Sequence, residues 1–103
     1  MRLKIKPDFF KNKTVEYIRR GKDGDKLLLI YFMLVGLSEN DLEFGGLYHS
    51  DGKVIRVSDL VNMLPVSEKR LFAALELFSL LDLIEIYDDR VFVTYSGLFE
   101  LKK

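Results

Sequence analysis

The chain has 103 residues, of which 49% are hydrophobic and 31% charged, and its 16 Lys/Arg are balanced by 16 Asp/Glu. This length favours one domain around one hydrophobic core, and this composition excludes the disordered class. The sequence has no cysteine, which excludes disulfides, thiolate zinc sites and a cysteine nucleophile. A net charge of zero argues against a uniformly basic nucleic-acid coat, so we expect one globular domain over residues 1–103.

Charge is spread unevenly along the chain. Residues 1–26 hold nine Lys/Arg and four Asp/Glu, a net charge of +5, and the remaining residues carry −5. This layout permits a basic face toward phosphate, and it equally permits head-to-tail contact between two copies. The start of the chain alternates charged and aliphatic residues, unlike a secretory signal. The most apolar stretch, residues 27–37, is about half the ~20 residues that span a bilayer, so we expect a cytoplasmic protein without a membrane partner.

Two helices are predicted in the first third of the chain. Asn12 is a candidate N-cap of a short helix that ends with a basic turn and a stopping glycine, Gly21. Asp23 and Asp25 offer acidic caps for a second helix, which runs to about Ser38. Its LLLIYFMLV run is apolar on all sides, which predicts a central helix that is buried on most of its faces.

A hairpin is predicted after the Gly45-Gly46 break. Residues 47–50 and 53–56 would flank a two-residue turn at Asp51 and Gly52, which sets His49 opposite Val54. A helix-turn-helix follows over residues 58–81. Ser58 is the candidate cap of a short helix over residues 59–63, residues 64–66 form the turn, and Ser67 caps a fourth helix that runs to about residue 81.

The last predicted element is a hairpin over residues 83–94 with Asp88 and Asp89 at its turn. This places Ile86 opposite Val91 and Ile84 opposite Val93, and it leaves Glu85, Tyr87 and Arg90 outside. A helix-turn-helix with a trailing hairpin, or wing, predicts a mainly α fold with a small β-sheet, the winged helix-turn-helix. The first hairpin would either join the wing in one sheet, which is slightly favoured, or pair with another copy of the chain.

At this point the sequence resembles the N-terminal domain of phage replisome organisers, which is similar to the winged-helix domain of the bacterial primosome protein DnaD. The resemblance is carried by residues 3–10 (LKIKPDFF), Gly24-Asp25 before residues 29–34, residues 46–48, and the junction from Val66-Ser67 to residues 83–86. It implies a replication-initiation module, in a bacterium or a phage-infected cell, that binds double-stranded DNA and self-associates. It also implies that a further C-terminal region, absent from this sequence, recruits a replicative helicase or its loader.

Two groups of residues are candidates for DNA contact. In a helix-turn-helix the second helix enters the major groove by its N-terminal end, which here holds Ser67, Lys69 and Arg70, although Ser67 is more simply an N-cap. A second basic patch would form if cations of the first quarter share one side, although a solvated helix face is the simpler interpretation. Its members are Lys11, Lys13, Arg19, Arg20 and Lys22. Arg90 is the one cation beside the acidic wing tip, which puts wing contact with DNA in doubt.

The fourth helix also suggests a protein contact. A helical wheel places Leu71, Ala74, Leu75, Phe78 and Leu81 inward and Glu68, Phe72, Glu76 and Ser79 outward. Glu68 and Glu76 would repel phosphate, and an exposed aromatic between them is more typical of a protein contact. Phe72 is therefore a candidate for self-association, unless the wing or the N-terminal segment covers it, and Tyr48 and Ile55 are further candidates. The alternative function is therefore an oligomerisation or partner-docking domain without DNA binding.

Catalysis and metal binding have no support in the sequence. His49 is the only histidine and has no ligand-spaced neighbour, and no phosphate-binding loop or nucleophile–base set is present. We expect no enzymatic activity and no cofactor.

Overall fold

The protein is described here by a computed structural model, which covers residues 2–95 and 97–102. Its helices are α1 (Lys13–Arg20), α2 (Gly24–Leu37), α3 (Val57–Met63) and α4 (Glu68–Leu80), with short 3-10 turns at Phe9–Lys11 and Glu39–Asp41. Its strands are β1 (Arg2–Ile5), β2 (Ile84–Tyr87), β3 (Arg90–Val93) and β4 (Phe99–Lys102). The strands form two antiparallel pairs, β1 with β4 and β2 with β3, so the mainly α fold with a small β component is confirmed.

Two helices begin at the caps that the sequence predicts. The Asn12 side chain accepts hydrogen bonds from the backbone N–H groups of Thr14 and Val15 at 2.8 and 3.4 Å, and Gly21 follows the end of α1. Ser67 Oγ accepts from the N–H of Arg70 at 3.2 Å at the start of α4. These side chains satisfy N–H groups that have no partner within the helix, which specifies where each helix starts.

The other two helix starts differ from prediction. Asp23 precedes α2 in a left-handed conformation (φ 59°) and makes no capping hydrogen bond. Helix α3 begins at Val57, and the Arg56 N–H donates to Asp59 Oδ2 at 2.8 Å. The prediction that Ser58 caps this helix is wrong, because Ser58 lies inside it and its hydroxyl donates instead to Asp89 Oδ2, 3.3 Å away in the wing turn.

The core is built around α2 and α4. On α4 four of the five residues predicted to face inward are buried, Leu71, Ala74, Leu75 and Phe78, whereas Leu81 follows the end of the helix and is only partly buried. The Tyr31 ring of α2 meets the Phe78 ring edge-on with centroids 5.4 Å apart. The apolar run of α2 is less enclosed than predicted, since Leu29 remains exposed.

The first hairpin has a register one residue away from the prediction. Tyr48, not His49, lies opposite Val54, and the His49 N–H donates to the Lys53 carbonyl at 2.8 Å. The loop therefore contains three residues rather than two. Its last residue, Gly52, has φ 89°, the left-handed conformation that such a loop requires and that glycine adopts without strain.

The wing has the predicted register, with Ile84 opposite Val93 and Ile86 opposite Val91. Strand β3 also receives both arms of the first hairpin through isolated bridges, Gly46 to Phe92 and Arg56 to Arg90. The first hairpin thus lies against the wing, as favoured, but isolated bridges connect the two in place of the single small sheet that was predicted. Helices α2 to α4 followed by this wing are consistent with a winged helix-turn-helix.

Strand β4 has no counterpart in the sequence prediction. It pairs with β1 so that Leu3 lies opposite Leu101 and Ile5 opposite Phe99. This ribbon connects the two ends of the described chain and encloses Phe9, whose ring contacts Phe99 edge-on at 6.1 Å. Within residues 2–95 and 97–102, no helix has the length and apolar character needed to cross a membrane.

Candidate nucleic-acid interface

The N-terminal end of α4 is the predicted reading end of the helix-turn-helix, and it lies at the surface. Ser67 and Lys69 are exposed and Arg70 is partly buried. Ser67 Oγ is occupied as the helix cap. The first turn of a helix carries the positive end of the helix dipole, so this end attracts anions in addition to the charge of the two cations.

The turn between α1 and α2 lies against this end of α4. A shallow hollow of about 420 Å³ is lined by Lys22, Asp23, Leu27, Ser67, Lys69, Arg70 and Ala73. Arg70 Nη2 lies 3.2 Å from Asp23 Oδ2, an ion pair in which each side chain is about one third exposed. Three cations therefore surround a hollow that contains one carboxylate, and that carboxylate is already paired.

A fourth cation lies beside the same helix end. A second hollow, of about 400 Å³, includes Lys26, Ser67 and Arg70 in its lining. Ser67 and Arg70 thus separate the two hollows, with Lys22 on one side and Lys26 on the other. We refer to Lys22, Lys26, Lys69 and Arg70 as the cationic cluster.

The sequence alone does not predict that these four cations share one surface. The sequence pattern groups Lys22 with the cations of α1 and assigns no role to Lys26. The excess of positive charge in residues 1–26 was the available signal, but it does not show which of nine cations face α4. That depends on how α2 packs on α4, which brings together residues more than 40 positions apart.

The remaining cations of the first quarter have different surroundings. Arg19 Nε lies 3.2 Å from Asp25 Oδ1, and its guanidinium lies 5.6 Å from the centre of the Phe10 ring. Lys11, Lys13 and Arg20 are exposed and form no ion pair with any described residue. Their assignment to DNA contact stays a prediction.

Arg90 is not outside, which corrects the prediction for the wing. Its Nη2 donates to Tyr48 Oη at 3.0 Å, and its guanidinium lies 4.8 Å from the centre of the Phe92 ring and 5.4 Å from that of Tyr48. The side chain therefore fastens the first hairpin to β3 through hydrogen bonding and cation–π contact. The exposed wing tip carries two carboxylates, Asp88 and Asp89, and a different cation, Arg56, whose Nη1 donates to the Asp88 carbonyl at 3.3 Å.

A second surface lies between α4 and the wing. Phe72 is 44% exposed, and it shares a hollow of about 570 Å³ with the exposed side chains of Leu80 and Ile86. We call this hollow the α4–wing groove; its lining is Val57, Phe72, Leu75, Glu76, Ser79, Leu80, Ile86 and Asp89. Both charged residues of the lining, Glu76 and Asp89, are acidic.

The other two residues predicted for self-association have different positions. Ile55 is only 1% exposed, and its N–H donates to the Leu47 carbonyl at 3.0 Å. It belongs to the core of its own chain and is not available to a second copy, which corrects its predicted surface role. Tyr48 is partly buried and holds Arg90. Of the three candidates, Phe72 is the one that the structure presents at the surface.

Helices α3 and α4 with the wing behind them, and a cationic cluster at the start of α4, are consistent with the winged-helix class of domain. The chain belongs to the N-terminal phage replisome organiser family, whose model matches residues 2–96. The resemblance seen in the sequence is thereby confirmed over nearly the whole chain, and the domain is a replication-initiation module. Comparison with curated proteins and with solved structures found no match.

Proposed function

We propose that this replication-initiation domain binds double-stranded DNA through the cationic cluster. The observation that carries the proposal is that Lys22 and Lys26 flank the same helix end as Lys69 and Arg70. These four cations, against the carboxylates of Asp23 and Glu68, leave a net positive charge around the N-terminus of α4 and supply the helix orientation that the phosphate backbone requires.

The contact we propose is mainly with phosphate. We assign Lys22, Lys26 and the N-terminal turn of α4 to the backbone, and Lys69 and Arg70 to base edges in the major groove. Further along α4 the exposed side chains include Phe72, Glu76 and Leu80, and the wing tip carries Asp88 and Asp89 with Arg56 as its cation. The carboxylates repel phosphate and outnumber this cation, and the apolar side chains offer phosphate no hydrogen bond, so we confine the proposed DNA surface to one end of α4. Nothing in this arrangement calls for catalysis, and we propose a non-enzymatic module.

A duplex-binding titration tests the proposal. We expect the affinity for a labelled duplex to fall with salt, with a log–log slope of about −0.9 for each phosphate contact. The variant Lys69→Ala/Arg70→Ala and the variant Lys22→Ala/Lys26→Ala should each weaken binding and reduce the slope by about two contacts. Lys53→Ala, which removes an exposed cation from the first hairpin, is the matched control and should bind as the unmodified chain does.

Two results would contradict DNA binding at this surface. One is the absence of duplex binding at low salt. The other is an equal loss of affinity per removed charge in the Lys53→Ala control and in the cluster variants, since this would show that only overall charge matters.

A second candidate function is self-association, and the α4–wing groove is the observation that favours it. An exposed aromatic ring in an apolar hollow is typical of a protein contact. Light scattering tests this. Phe72→Glu should lower the average mass, whereas Phe44→Glu, which changes an exposed phenylalanine that does not line the groove, should leave it unchanged. A monomer at every concentration would exclude self-association.

A further inference from the structure

We propose that the α4–wing groove of one copy receives helix α1 of a second copy, so that the chains associate head to tail. This inference rests on the self-association proposed above and specifies its two surfaces. One surface is the groove. The other is a stripe on α1 that consists of Lys13, Tyr17 and Arg20, which we call the α1 stripe.

The α1 stripe is a continuous exposed face. Its residues are spaced by four and then three positions, which places them on one side of a helix. Val15 and Ile18, on the opposite side, are buried against the rest of the domain. Tyr17 is 62% exposed, and the two cations beside it form no ion pair with described residues of their own chain. The stripe thus offers one aromatic ring between two free positive charges.

The groove has the complementary chemistry. Five of its lining residues are apolar, among them Phe72, Leu80 and Ile86, and its charged residues Glu76 and Asp89 are both negative. An aromatic side chain such as Tyr17 buries its ring in such a hollow while its hydroxyl stays near the polar rim. Lys13 and Arg20 then face Glu76 and Asp89 at that rim, where opposite charges orient the partners.

The distribution of charge over the chain agrees with this contact. The stripe belongs to the first 26 residues, with net charge +5, and the groove belongs to the remainder, with net charge −5. Two copies facing each other with identical surfaces would bring like charges together, whereas head-to-tail contact brings opposite charges together. The cationic cluster takes no part in the contact, so each copy in an assembly keeps it free for phosphate.

A head-to-tail contact uses two different surfaces on each copy. Such an interface leaves one unused groove and one unused stripe at the ends of every assembly, unless the assembly closes into a ring. This gives a specific expectation for mixtures of two variants, each with one damaged surface.

The test uses sedimentation velocity on two variants whose folding is first checked by thermal melting. Glu76→Arg damages the groove and keeps the stripe, and Lys13→Glu/Arg20→Glu damages the stripe and keeps the groove. We expect each variant alone to sediment as a monomer. In an equimolar mixture, the stripe of the first docks into the groove of the second, and we expect a one-to-one pair that does not grow with concentration.

Controls separate charge in general from charge at these surfaces. Lys53→Glu reverses an exposed cation outside the stripe and should assemble as the unmodified chain does. A chain that carries all three surface changes has an arginine at position 76 to face a glutamate of the altered stripe, while Asp89 still repels the other glutamate, so it should regain part of the association.

Three outcomes would overturn the inference, and each is distinct. If the unmodified chain assembles and neither variant changes that assembly, the surfaces are wrong although self-association is right. If the unmodified chain is always a monomer, self-association fails as well, while the duplex titration of the cationic cluster remains a separate result. If the mixed variants stay monomeric although each alone has lost assembly, the contact is not head to tail.

Discussion

Arg70 Nη2 lies 3.2 Å from Asp23 Oδ2, and this ion pair connects the first turn of α4 to the turn between α1 and α2. Because both side chains are about one third exposed, solvent screens the pair and its contribution to stability is small, about 0–1 kcal/mol. Its larger effect is electrostatic. Asp23 places a negative charge inside the cationic cluster.

Asp23→Asn should therefore strengthen duplex binding. Asparagine tolerates the left-handed conformation of residue 23, so the turn is kept while the charge is removed. Removal of one nearby charge is worth about 1 kcal/mol, or about fivefold in affinity at low salt. Fluorescence anisotropy with a labelled duplex measures this. Asp25→Asn, which frees Arg19 instead, is the control, and weaker binding by Asp23→Asn would contradict the proposed surface.

Two buried tyrosines should respond in opposite ways to loss of their hydroxyl groups. Tyr31 Oη is buried and has no hydrogen-bond partner among the described residues. Tyr95 Oη lies 2.7 Å from Ser38 Oγ and acts as the donor, because the Ser38 hydroxyl donates to the Val35 carbonyl at 2.6 Å. We expect Tyr31→Phe to raise the free energy of unfolding by about 1 kcal/mol and Tyr95→Phe to lower it by a similar amount. Urea unfolding at neutral pH measures both.

The same tyrosines predict alkaline sensitivity. Burial, reinforced by the nearby Tyr95, raises the pKa of Tyr31 well above its usual value of 10.0, and burial also raises the pKa of Tyr95. In the unfolded chain both ionise near pH 10, whereas the folded chain holds their protons. Stability is thus intact below about pH 10 and falls as the pH rises above it. Tyr31→Phe should flatten this decline, and an unchanged slope would show that Tyr31 is not responsible.

Two glycines of α2 should differ in their tolerance of alanine. A Cβ on Gly24 would meet the Ile18 carbonyl oxygen and lie 2.6 Å from Arg19 Cα, whereas one on Gly36 has open space around it. Gly24→Ala should cost about 1–3 kcal/mol because α1 must move away from α2. Gly36→Ala should gain about 0.5–1 kcal/mol because an unfolded chain with alanine at this position has less conformational freedom to lose on folding than one with glycine. Thermal melts of the two variants, which carry the same chemical change, provide the comparison.

Arg90 should matter for stability and not for DNA. Arg90→Met keeps most of the aliphatic length but loses the hydrogen bond to Tyr48 and the charge beside two rings, so we expect about 1–2 kcal/mol of destabilisation. Tyr48→Phe removes the hydrogen bond alone and should cost less. Chemical unfolding measures the stability of each variant. A loss of duplex affinity in folded Arg90→Met would instead indicate that Arg90 contacts DNA.

The elements that the sequence predicted well are those encoded by neighbours along the chain. Asn12 and Ser67 cap helices because each needs only backbone N–H groups two or three residues ahead. The wing register follows from a two-residue turn at Asp88 and Asp89 with aliphatic residues alternating on both sides. The inward face of α4 follows from its 3.6-residue period in the same way.

The wrong predictions have two causes: contacts with residues far away in the chain, and a local sequence that is compatible with more than one turn. Ser58 has the chemistry of a cap, but its hydroxyl is taken by Asp89, 31 residues later. The first hairpin shifted by one residue because Gly52 accommodates a three-residue loop as readily as a two-residue turn. Strand β4 was missed because four residues that pair with the opposite end of the chain have little pattern of their own.

By itself the sequence determined the helix-turn-helix, the wing and the family, because caps, turns and hydrophobic periods act over a few residues. Only the tertiary structure decided which cations share a surface and which aromatic residues remain outside. Lys22 joins Lys69, Arg90 turns inward, Ile55 is enclosed and Phe72 stays exposed through packing between segments far apart in the chain. Those positions depend on which long-range contacts bury the most apolar surface together, and no local pattern records that outcome.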